Sequence, residues 1–154
     1  MNLIFLLVGI IGIILITVFE NKRNTPTVEE FKETIEFIKR TKFYEMHVFP
    51  YSRRSGTVAD GLDGHLDKSV ITARAKEIAE LAEILKEEYI NNYIEKDVYV
   101  LAEAKKNNYW HGHTSNYLDV YFKSDIELEN KIVKVKIKSY QNKVILGEME
   151  EVYE

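Results

Sequence analysis

Three groups of residues carry the chemistry this sequence could perform. Trp110, His111, His113, Asn116 and Tyr117 fall close together around one turn. Aromatic rings beside amide and imidazole groups can stack on unpaired nucleobases. Lys134, Lys136 and Lys138 alternate with Val133, Val135 and Ile137. A strand there presents three ammonium groups on one face, where they could hold phosphates. The same alternation also keeps an exposed strand soluble without binding anything, and both readings stay open. In Tyr51-Ser52-Arg53-Arg54 two guanidinium groups are adjacent in a loop; they could pair with a phosphate or with carboxylates nearby. His111 and His113 are two apart and so share one side of a strand, but no third ligand stands in register, which favours stacking or packing over a metal site. No residue is assigned a catalytic role.

Composition narrows the classes. A chain of 154 residues holds one ordinary domain, or a small domain plus a fragment of another. The hydrophobic fraction of 45% and charged fraction of 30% are those of a foldable chain. Many of the apolar residues sit in the opening stretch, so the rest is more polar than the mean. A net charge of −4 argues against coating nucleic acid through bulk positive charge, so any RNA contact must come from a local patch. There is no cysteine, which removes disulfides, thiolate zinc sites, thiol nucleophiles and cysteine-held iron–sulfur clusters together.

The elements that must position these groups follow from periodicity. Leu3 to Phe19 is an apolar run followed at once by Lys22 and Arg23. It is near the lower length limit of a membrane-spanning helix, with the positive flank that would keep the remainder cytoplasmic; a buried strand of an α/β fold reads the same way. Thr27 and Glu30 stand at capping-box spacing, and Phe31, Ile35 and Ile38 then recur at helical intervals to about Arg40. Tyr44 to Phe49 has strand character, with His47 packing in it, and stops at Pro50. Tyr51 to Gly64 is a glycine- and serine-punctuated loop. A long helix is predicted over residues 69–93, its stripe formed by Ile71, Ala75, Ile78, Ala82, Leu85 and Tyr89. From Lys96 the period becomes two. Val98, Val100 and Ala102, then Leu118, Val120 and Phe122, then Val133, Val135 and Ile137 mark strand faces, with further strands at 109–113 and 144–149. Five short strands in about sixty residues suit a small closed barrel.

Two motifs carry a resemblance. The segment from His47 to Ala59, HVFPYSRRSGTVA, resembles the one that ends the radical-SAM barrel of tRNA methylthiotransferases. The segment from Gly112 to Val120, GHTSNYLDV, is similar to the GxTxNYxxV signature of the TRAM domain that closes those enzymes. The resemblance runs from about Thr25 to Glu154, and the HVFPYS wording resembles the branch that thiolates N6-threonylcarbamoyladenosine beside the anticodon. It implies an α+β chain: an apolar leader at 1–24, a remnant of the radical-SAM α/β barrel at 25–68, a linking helix at 69–93, and a five-stranded OB-like TRAM barrel at 94–154.

The family uses 4Fe-4S clusters and S-adenosylmethionine, yet its CxxxCxxC loop and N-terminal domain have no counterpart in this sequence. The resemblance therefore implies a catalytically incomplete chain that binds none of these cofactors itself. Its implied partners are the anticodon arm of tRNA and a separate N-terminal catalytic polypeptide. Trp110, His111, His113, Asn116, Tyr117, Lys134, Lys136 and Lys138 would face RNA, and Tyr51, Ser52, Arg53 and Arg54 would lie on the substrate side of a barrel mouth. Where relatives have a strand and a VGFPGET-like turn, this chain has Ile16 to Asn24, as in a truncated or frame-disrupted product. The location implied is cytoplasmic. A membrane-tethered RNA-binding module anchored by Leu3 to Phe19, or a non-functional remnant, are the alternatives.

Overall fold

The structure is a computed structural model that describes residues 27–153. The Leu3 to Phe19 run lies outside the described residues; among the described ones no helix is long and apolar enough to cross a membrane. The chain is α+β and divides into two compact units, one up to Lys86 and one from Glu87 onward. That division falls inside the long helix, where the periodicity set residues 69–93 apart as a segment of their own.

In the first unit, α1 (Val28–Thr41) begins at a complete capping box between Thr27 and Glu30. Glu29 and Glu30 in its first turn and Lys39 and Arg40 in its last oppose the helix dipole at both ends. Lys42 ends it in the left-handed region (φ 52°), its N–H donating to the Ile38 carbonyl. The predicted stripe is the buried face, with Ile38 fully covered. α2 (Lys68–Asn91) buries Leu85 and half-buries Ile71, Ala75, Ile78 and Ala82. Arg74 lies over the Phe31 ring at 4.9 Å, and Lys86 reaches Glu45 at 2.9 Å.

Tyr44 to Phe49 forms no strand, and His47 is exposed rather than packed. A strand exists only when a neighbour satisfies its backbone groups. Among the described residues every strand belongs to a sheet that is already closed on itself, so no edge is open to this segment.

The second unit is that closed sheet. β1 (Asp97–Lys106), β2 (Tyr109–Thr114), β3 (Asp119–Lys123), β4 (Ile132–Gln141) and β5 (Val144–Tyr153) close in the order β1-β2-β3-β5-β4, antiparallel except for β3 with β5. The alternating apolar residues of all five strands point inward, and Val100, Val120, Phe122, Val133, Val135 and Ile137 are fully buried. Ile90, from the last turn of α2, is buried in the same unit. Two hairpins turn through residue pairs with positive φ, Asn107-Asn108 and Asn142-Lys143, the backbone that matches the twist of the strands. Register shifts interrupt β1 between Ala102 and Ala104, and the β4–β5 ladder at Lys134/Val135 and Ile137/Ser139. These irregularities leave Glu103, Glu150 and Lys138 out of the regular pairing, and bulged positions of this kind re-aim side chains.

Candidate nucleic-acid interface

The three lysines of β4 do share one outer face, but each ammonium meets carboxylates of its own barrel. Lys134 contacts Asp97 and Glu150 at 2.8 Å each. Lys136 contacts Glu150 at 3.0 Å and Asp97 at 3.7 Å, and Lys138 contacts Glu95 at 3.1 Å and Glu148 at 4.0 Å. The irregularity at Glu150 explains part of this, since it lets one carboxylate bridge two lysines on the neighbouring strand. Hydrogen bonding from Lys134 holds Asp97 below the ordinary carboxylate range, and hydrogen bonds from Lys134 and Lys136 do the same for Glu150. In return Asp97 and Glu150 push Lys134 well above the ordinary lysine range, and Glu150 raises Lys136. The face expected to grip phosphate is thus largely neutralised from within.

A pH dependence follows. Asp97 and Glu150 titrate lower in the folded chain than in the unfolded one, where carboxylates titrate at about 4. Their contribution is therefore complete above that range and is lost as pH falls through their folded values. The urea midpoint of the barrel is expected to drop between about pH 5 and pH 3, and an Asp97→Asn/Glu150→Gln variant should lose most of that dependence. An unchanged acid slope in the variant would remove these two groups as its source.

The turn after β2 is organised by side chains. Thr114 Oγ1 donates to Asn116 Oδ1 at 2.7 Å and accepts from Leu118 N at 2.9 Å. Asn116 Nδ2 donates to the hydroxyls of Tyr89 at 2.9 Å and Tyr93 at 3.1 Å, which also share a hydrogen bond at 3.2 Å. Asn116 therefore spends its amide on tying the turn to the end of α2, and acts as a positioning residue. The bond from Tyr89 raises the Tyr93 phenol above its ordinary value. Tyr117 follows at φ +64° with its ring exposed. It lies on the turn itself, between β2 and β3.

Trp110 requires a correction. It is 2% exposed, its Nε1–H donates to the Ile126 carbonyl at 3.2 Å, and its ring belongs to the core. Inward alternation along β2 puts it there, so its faces are not open to a base. His111 stacks on Tyr121 with 5.3 Å between centroids, and its Nδ1 lies 3.5 Å from Asp119. His113 Nδ1 lies 2.9 Å from the carboxylate of Glu103. Its ring leans toward Tyr117 at 6.2 Å.

Periodicity overlooked a band on the outside of the barrel. His113, Leu101, Ile132 and Tyr153 are successive register partners across β2, β1, β4 and β5, and Tyr99 packs edge-on against Tyr153 at 5.3 Å. The five apolar and aromatic members, Tyr99, Leu101, Tyr117, Ile132 and Tyr153, are 40–55% exposed. Tyr93, Tyr99, Leu101, His113, Tyr117 and Ile132 line an open depression of about 830 Å³. The Tyr153 phenol is pushed up to about 12 by its hydrogen bond with Tyr99 and by the Glu151 carboxylate. A signal was present in the sequence: on β1 the residues opposite Val98 and Val100 include Tyr99 and Leu101, where a merely solvated face would be polar.

Tyr51, Ser52, Arg53 and Arg54 lie in the first unit. Arg53 is committed to Asp60, through Nε to the carboxylate at 2.8 Å and Nη2 to the carbonyl at 3.0 Å. Tyr51 stacks parallel to His65 at 6.2 Å, while Ser52 and Arg54 are exposed. Among the described residues no group of three or more histidines and carboxylates could hold a metal ion. With no cysteine in the chain, its residues do not fit the thiolate-held clusters that the motifs imply, and no step of cluster chemistry is assigned to them.

No protein-family profile matches the chain. Curated proteins do. It is 40% identical over 116 residues to the threonylcarbamoyladenosine tRNA methylthiotransferase of Bacillus subtilis, covering 72% of this chain and 26% of that protein. It is 32% identical over 128 residues to the tRNA-2-methylthio-N(6)-dimethylallyladenosine synthase of Aquifex aeolicus, covering 83% and 29%. A ribosomal protein uS12 methylthiotransferase of Clostridium perfringens is 32% identical over 114 residues, covering 71% and 26%. The chain thus spans between a quarter and a third of the length of these relatives.

Proposed function

We propose that this chain is the tRNA-binding C-terminal portion of a tRNA methylthiotransferase, with the anticodon arm as its ligand; identity of 32–40% to such enzymes over most of the chain supports the reading. The observation that carries this reading is the exposed band of rings around a hydrogen-bonded turn, on a barrel with no free edge. An anticodon loop offers unpaired bases, and rigid exposed rings are what such bases stack on.

The finer assignment is to the threonylcarbamoyladenosine branch. It is supported by the wording of His47 to Ala59, and by 40% identity to the relative of that name against 32% to the other two. Residues 25–68 are, on this reading, the closing part of a radical-SAM barrel, and the Tyr44 to Phe49 segment, of strand character in sequence, would be left without a strand to pair with. On this reading the 4Fe-4S clusters and S-adenosylmethionine are not held by these residues, which contain no cysteine, and the enzyme acts in the cytoplasm.

The test is fluorescence anisotropy of the whole chain with a tRNA, with its isolated anticodon stem–loop, and with an RNA duplex of equal length. Saturable binding of tRNA, competed by the stem–loop and not by the duplex, is expected. A folded chain with no tRNA affinity, or one that the duplex competes for equally, would overturn the proposal.

A further inference from the structure

We propose that the depression beside Tyr117 is a stacking site for unpaired nucleobases that works with almost no phosphate contacts. The inference rests on the RNA reading above and specifies how that RNA is held. Three observations converge on it.

The first is the band itself. Tyr99, Leu101, His113, Tyr117 and Ile132 line one open concavity of about 830 Å³, room for a base laid against its wall. A cluster of exposed rings and aliphatic groups on an otherwise closed barrel marks a surface that something covers.

The second is the backbone of Tyr117. A bulky residue at φ +64° is a conformational outlier, in a region where glycine or asparagine is at ease. The turn nonetheless holds it there, through Tyr117 N to the Thr114 carbonyl at 2.9 Å and Leu118 N to Thr114 Oγ1 at 2.9 Å. A ring kept exposed at a strained position points to a use outside the fold.

The third is charge. The lysines of β4 are matched by Asp97, Glu95, Glu148 and Glu150, and Glu103 lines the depression. A face whose lysines are matched in this way attracts phosphate less than three free ammonium groups would. What it suits is a flat neutral ring whose polar edges can meet the Tyr99 hydroxyl, Ser115 or Glu103. A nucleobase fits that description, and a nucleotide backbone does not.

The experiment uses the whole chain with an anticodon stem–loop and the same stem–loop made abasic in its loop, so that the phosphates remain and the bases are gone. Each stacked base removed is expected to weaken binding by about 5- to 150-fold. Raising salt from 50 to 200 mM should cost less than about tenfold, the response expected for two or fewer phosphate contacts on a single strand. Tyr117→Gly should leave the melting temperature unchanged or higher while weakening binding by a similar factor, and Tyr99→Leu gives a second reading at an unstrained position. Equal affinity for the abasic loop, a steep salt response, or full binding by both variants would overturn the stacking site while leaving tRNA recognition intact. If the wild-type chain binds neither RNA, the proposed function fails first and takes this inference with it. Loss of a co-purifying protein partner in Tyr117→Gly, with RNA binding unchanged, would make the band a protein-docking face and also overturn it.

Discussion

Gly112→Ala is expected to destabilise the barrel by about 3 kcal/mol or more, the upper end of what overpacking a well-filled interior costs. Gly112 pairs with Ala102 of β1 and Val120 of β3, and a Cβ there would lie 1.8 Å from the Leu101 carbonyl oxygen. Backbone cannot rotate aside as a side chain can, so β1 and β2 would have to separate. For a unit of this size each kcal/mol moves the melting temperature by about 4–8 °C, which puts the expected loss above 10 °C. Gly147 is the informative comparison. A Cβ on it would meet Val135 Cγ1 at 2.3 Å and the Lys136 carbonyl at 3.0 Å; the nearer atom can turn away, so Gly147→Ala should cost less. Gly61, with nothing within 4 Å, serves as the neutral control. Thermal unfolding of the three variants checks the order, and a Gly112→Ala shift below 2 °C would mean that the two strands do not approach so closely.

Asn116→Ala is expected to cost about 2–3 kcal/mol. The change removes one hydrogen bond from Thr114 and two to the tyrosine hydroxyls. A net value of about 1 kcal/mol for each is typical, reduced where a half-exposed hydroxyl can turn to water. The turn that carries Tyr117 would loosen with it, so tRNA binding should fall even at temperatures where the chain stays folded. A double-mutant cycle with Tyr89→Phe and Tyr93→Phe separates network from local propensity. Coupling of about 0.5 kcal/mol or more is expected if the three side chains act together, and strict additivity would show that Asn116 stabilises the turn by itself.

The two variants bear on different kinds of information. Gly112 and Asn116 both stand inside GHTSNYLDV, the motif that marks the region, yet the motif does not say why either is required. Gly112 matters because two backbones meet there, and Asn116 because the end of a helix far earlier in the chain supplies Tyr89 and Tyr93. Neither partner is near in sequence. The Trp110 expectation failed for a related reason: an aromatic next to two histidines reads as a surface feature, whereas alternation along β2 sends it to the core.

What these residues determine by themselves is everything with a local period or a local partner. Thr27 and Glu30 cap α1 across three positions. The stripe of α2 follows from 3.6 residues per turn, and the inward faces of β1, β3 and β4 from a period of two, so the α+β class and the five strands were legible in advance. What only the tertiary structure decided is which residues meet across strands. Closure of the barrel set the register that lines up His113, Leu101, Ile132 and Tyr153, and irregularities near Glu103, Glu150 and Lys138 set which charges cancel. A lysine ladder that looks cationic in sequence is matched in space, because attraction between charges depends on distance through the fold and not on position along the chain.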